Sequence, residues 1–93
     1  MGGSNLPGIV GGSGGDAGDT PPTAAEWITF AVRLEQARRL HGWTLEAASY
    51  RLGYRAAALS TFERGVAVPR LSKLPRIATG LKTSVDWLLG RRP

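Results

Sequence analysis

An all-α domain of five short helices behind an irregular tail is what this sequence predicts, and three observations predict it. Thr23, Thr44, Ser72 and Ser84 each stand just ahead of apolar residues that recur at helical spacing. Gly42, Gly53, Gly65 and Gly90 each stand just after such a run, where a helix is expected to stop. No segment carries the period-two alternation of a strand, and no internal repeat is present.

Taken in order, residues 1–22 hold eight of the thirteen glycines and three of the six prolines. Ordering them would cost much chain entropy for little burial, so they are expected to form a disordered tail. The tail carries Asp16 and Asp19 and no Lys or Arg, a charge of −2 that argues against a DNA-wrapping arm. Residues 23–93 then hold all twelve Lys and Arg against five acids, a net +7 that points to a polyanionic partner. The domain itself is expected over 23–90, with 91–93 as a C-terminal tail. With 93 residues the chain has room for one small core. The absence of cysteine excludes a disulfide framework and a thiolate metal site. No apolar run approaches the roughly 18 residues of a membrane span, and the N-terminus lacks a secretion-signal pattern, so the default expectation is cytoplasmic.

Thr23 and Glu26 have the spacing of a capping box, which opens the first helix. Trp27, Phe30, Ala31, Leu34 and Ala37 form its buried stripe, and Arg38 falls on that stripe, where a lone cation would be costly to bury. The acid with the matching anomaly is Glu63, on the inward face of the third helix, and the two are expected to pair across the core. The alternative is that either group sits at the stripe's edge and reaches water. Gly42 ends this helix, and Trp43 plugs the gap before the next.

Thr44 caps the second helix and Glu46 adds negative charge to its first turn. Leu45, Ala48 and Leu52 give it a narrow buried stripe. Gly53 can take positive φ there, so the chain turns. A third helix follows, with Leu59 and Phe62 inward and Gly65 as its stop. Two short helices joined in this way have the spacing of a helix-turn-helix, whose second helix lies in a DNA major groove. Val66–Arg70 reads as a loop. Ser72 is expected to cap a fourth helix with Pro75 in its first turn and Leu74, Ile77, Ala78 and Leu81 inward. Ser84 caps a last helix that buries Trp87, Leu88 and Leu89.

The pattern of Leu34, Arg38, Gly42, Thr44, Gly53, Leu59, Glu63, Arg64, Gly65, Pro69, Leu71, Leu74, Ile77, Ala78, Leu81 and the closing SVDWLLG resembles the lambda-repressor-like (Cro/Xre) family of DNA-binding domains. The resemblance covers about residues 27–90 without a gap. It implies a five-helix bundle that binds operator DNA as a homodimer and regulates transcription, commonly as a repressor of phage or mobile-element genes. It also implies the Arg38–Glu63 pair.

Against that pattern, backbone N–H groups opening the second and third helices should face phosphates. The family often has Gln at the position of Leu45, and Leu45 leaves only its backbone N–H for that contact. Arg55 stands where the family prefers a hydroxyl cap and is expected to reach a phosphate or base edge. Ala56, Ala57, Ser60, Thr61 and Arg64 face outward from the third helix, and Ala56, Ala57 and Thr61 match the family's base readers by position. Alanine neither donates nor accepts, so the directional base code is mostly missing, and specificity falls to Arg55, Thr61, Arg64 and duplex shape. Arg70 matches a place from which some members put an arginine near the backbone or into a narrow minor groove.

Other chemistries lack support. His41 is the one histidine and has no second ligand, so no metal is expected and a helix C-terminus is its better partner. Ser49, Ser60 and Thr61 lack the base and orienting acid of a nucleophile, so neither an enzyme nor a cofactor is expected. Ser49 is expected to be small because two helices cross there. A different class of function remains open: a protein-interaction or antitoxin-like module with a protein partner, favoured by Ala56–Ala58 and by the Gln missing at Leu45. A dimer surface is expected on the last helix through Val85 and Leu89.

Overall fold

The computed structural model describes residues 20–91. Residues 1–19 of the expected tail, with Arg92 and Pro93, lie outside them. Five α-helices follow in order: α1 (Ala24–Leu40), α2 (Leu45–Leu52), α3 (Ala56–Glu63), α4 (Leu74–Gly80) and α5 (Val85–Leu89). A single 3-10 turn, Leu71–Lys73, leads into α4, and no strand occurs among the described residues.

The local signals act as read at most helix ends. Thr23 Oγ1 accepts from Glu26 N at 3.1 Å while Glu26 Oε1 accepts from Thr23 N at 2.9 Å, closing the capping box. Thr44 accepts from Ala47 N and Ser84 from Trp87 N. Ser72 does not cap. It lies inside the 3-10 turn, and α4 begins after Lys73 with no side-chain cap. The turn supplies the first bonds instead, Lys73 N donating to Arg70 O at 2.9 Å, and Pro75 falls in the first turn of α4 where its absent N–H leaves nothing unmade.

The core is drawn from all five helices. Phe30 and Leu34 of α1, Leu52 of α2, Leu59 of α3, Ile77 of α4 and Leu88 of α5 are each fully buried, and no polar side chain shares that depth among the described residues. α1 is the central post: α3 and α5 pack on it, α2 packs on α3, and α4 closes the bundle against α2 and α5. Trp27, Trp43, Leu45 and Trp87 are only partly buried at the edge of this core. Leu89 is 2% exposed, so it belongs to the core and cannot serve the dimer surface expected on α5. Val85 stays half-buried.

Candidate nucleic-acid interface

α2, the turn after it and α3 form the unit that matters. α2 ends because Gly53 adopts φ +75°, ψ 28°, a left-handed cap that a Cβ would strain, and its N–H still closes on Ser49 O at 3.0 Å. Arg55 then takes an extended conformation as the N-cap of α3 with no side-chain hydrogen bond to the helix. A guanidinium has no lone pair to offer, so the N–H groups opening α3 keep their donor capacity.

Two anchors hold α3 in place. From its inner face, Leu59 and Phe62 enter the core, and Tyr54 packs edge-on against Phe62 with centroids 5.2 Å apart. From its C-terminal end, Glu63 receives Arg38 Nε at 2.6 Å and Nη2 at 3.0 Å, while Arg38 Nη1 donates to Trp43 O at 2.8 Å. The Arg38 and Glu63 side chains are 12% and 8% exposed, so the pair is largely screened from water and depends on these protein partners. The bond to Glu63 raises the Arg38 guanidinium further above its ordinary value against the opposing effect of burial. One fork therefore ties α1, the α1–α2 connection and α3 into a single orientation.

The outer side of this unit carries the residues expected from sequence. Arg55, Ala57, Arg64 and Arg70 are exposed, and Ala56, Ser60 and Thr61 are half-exposed. Thr61 spends its hydroxyl hydrogen on Ala58 O at 2.6 Å, which leaves its oxygen as an acceptor. Leu45 is half-buried against the core, so at that position the backbone alone is on offer. Thr44 occupies Ala47 N, which leaves the N–H groups of Leu45 and Glu46 at the mouth of α2. Among the described residues the ion pairs join Arg38 with Glu63, Arg39 with Glu35 and Arg91 with Glu26. Among the described residues, Arg55, Arg64 and Arg70 have no carboxylate partner.

His41 meets a helix C-terminus as expected, but that of another helix. Its Nε2 lies 2.7 Å from the carbonyl oxygen of Leu81, so it serves the end of α4 and not of its own helix. Its ring stacks on Trp43 at 4.3 Å, and Arg51 covers Trp43 at 4.8 Å, a column no sequence spacing announced. Ser49 is half-buried, and its hydroxyl donates to Glu46 O of its own helix at 2.6 Å. No helix of the described residues is long and apolar enough to cross a membrane.

A glycine-turned pair of short helices, the second fixed by the core with a basic, acid-free outer face, defines a helix-turn-helix of the DNA-binding class. The model of the family described as "Helix-turn-helix domain" matches residues 29–88, and the chain belongs to that family. Among solved structures it is similar to an HTH_3 family transcriptional regulator from Vibrio cholerae, with a TM-score of 0.64 and 29% identity over 73% of this chain and 39% of that one. The chain thus spans 39% of the length of that regulator. No curated protein matches.

Proposed function

We propose that this domain is a sequence-specific regulator of transcription, of repressor type, that occupies duplex DNA with α3 in the major groove. The observation that carries the reading is the coincidence of three features on one face: the uncapped N-terminus of α3, the N–H groups opening α2, and the cations Arg55, Arg64 and Arg70 around them, which have no carboxylate partner among the described residues. The helix mouths and Arg70 take phosphates, which set register. Base contact falls to Arg55, Arg64 and Thr61, with Ala56 and Ala57 able to meet a thymine methyl and Ser60 a phosphate or base edge. The similarity to a transcriptional regulator of Vibrio cholerae supports this assignment.

A salt titration of binding to duplex DNA tests it. Roughly 6–10 phosphate contacts cut affinity by about 10³–10⁵ between 50 and 200 mM salt. A flat salt response would instead mark a protein-binding module that kept the bundle and lost the readout. Selection of bound duplexes from a random pool then reports the operator, and a two-fold repeat one helical turn apart would report the homodimer.

A further inference from the structure

Beside the turn between α2 and α3 lies a group of donors that the docking face above does not use. α4 packs on the end of α2 through Gly80. A Cβ on Gly80 would sit 2.5 Å from Leu52 Cδ2, so any larger residue would force the buried Leu52 side chain to move. Arg76, one helical turn earlier on the same face of α4, is thereby laid across the next residue of α2's end: a Cβ on Gly53 would lie 2.9 Å from Arg76 Nη2 and 3.3 Å from its Cζ. The guanidinium therefore lies against the turn that launches α3. No carboxylate among the described residues pairs with it, and it is exposed. Tyr54, the residue after Gly53, has its ring held by Phe62.

Two further observations bear on what this group would bind. Burial pushes the Tyr54 hydroxyl above its ordinary value, against the pull of Arg76 and then Arg70, so the phenol stays a donor and both arginine charges reach it. The Arg76 guanidinium offers only donors and positive charge, and the Tyr54 O–H beside it can add a donor. The complement is an acceptor-only anion.

We propose that Arg76 and Tyr54 form a binding site for a backbone phosphodiester of duplex DNA at the α2–α3 turn, on the α4 side of the recognition helix. The assignment rests on the reading of the domain as a DNA-binding protein and names a contact that reading lacks. Arg76 supplies a charge positioned by Gly53 and Gly80, and Tyr54 a neutral donor fixed by Phe62. A phosphate held there would stop α3 from rolling about its own axis in the groove, because it lies to one side of the contacts at the helix N-terminus.

The test uses the full chain and a short mixed-sequence duplex, with affinity measured across a salt series. Arg76→Gln should weaken binding about tenfold, equally on unrelated sequences, and lower the salt slope by about 1. Tyr54→Phe keeps the ring against Phe62, so folding is not at issue. It should weaken binding about fivefold and leave the slope unchanged, since no charge is lost. Arg76→Lys should restore the slope. If the parent binds with a steep slope and both Arg76→Gln and Tyr54→Phe match it, the phosphate site is overturned while the DNA-binding reading stands. If Arg76→Gln lowers the melting temperature and Tyr54→Phe binds like the parent, Arg76 serves only the end of α2 and the site is overturned. If the parent itself binds no duplex, both readings fall together.

Discussion

At the scale of single residues, Arg38 and Lys82 teach opposite lessons. Arg38 stands on an apolar stripe, so its need for a buried acid could be inferred before any coordinates, and Glu63 meets it at 2.6 Å. Arg38→Ala should cost about 3–5 kcal/mol, because the Glu63 carboxylate would stay buried without its partner. The double variant Arg38→Met with Glu63→Leu should recover most of that loss in a thermal melt. An unchanged melting temperature for the single variant would show the pair to be energetically idle. Lys82 gave no warning: it adopts φ +59° at the end of α4, where Thr83 N closes on Ala78 O at 2.9 Å. The same closure at Gly42, Gly65 and Gly90 is made through glycine. Lys82→Gly should therefore raise stability by about 1 kcal/mol in denaturant unfolding, by relieving the left-handed strain of a residue with a Cβ.

At the scale of elements, the helices were legible wherever a side chain touched its own backbone, and less so where two elements met. Thr23, Thr44 and Ser84 act within three residues of themselves, which a sequence displays directly. Ser72 looks the same in one dimension, but the 3-10 turn from Leu71 supplies the opening bonds of α4 and leaves it no capping role. Gly80 inside a helix is unfavourable by propensity and becomes intelligible only against Leu52 on α2. Gly80→Ala should destabilise the fold by about 1–3 kcal/mol despite its better helix propensity, and a rise in melting temperature would contradict the close packing. The α3 face makes a complementary prediction. Arg55→Ala and Arg70→Ala touch no core contact and should leave the melting temperature unchanged while weakening duplex binding. Parent-like affinity in both would move the docking surface elsewhere.

At the scale of the whole molecule, the two ends of the domain are joined by a clamp. Arg91 Nε donates to Glu26 Oε2 at 2.7 Å and its Nη2 to Thr20 O at 2.9 Å. Glu26 thus serves the capping box of α1 and the segment beyond α5 at once. Its hydrogen bonds with Arg91, and then with Thr23, lower its carboxyl from the ordinary 4.5 to about 2. Because the folded value is the depressed one, this contribution is fully present above pH 4.5 and is lost as pH falls towards 2. Glu26→Gln keeps an acceptor for the capping box, so it isolates the charge. The variant should be less stable than the parent at neutral pH, with the gap closing between pH 4.5 and 2 in urea midpoints. A gap independent of pH would mean that the charge contributes nothing. α1 also carries Arg33, whose Nη1 donates to Trp87 O at 2.5 Å, so the central post is fastened to α5 by polar contacts as well as by Phe30 and Leu34.

The sequence by itself determined the helix count, three of the four proposed caps, the left-handed turn at Gly53 and the face that α3 turns outward. Each of these is fixed by interactions over a few residues or by a period of 3.6. Only the tertiary structure decided that Leu89 is core, that His41 answers α4, that Arg91 clamps Glu26 and that Arg76 lies across Gly53. Those contacts join residues 23 to 65 positions apart, and which face of one helix meets another depends on how five short stripes close around a shared interior.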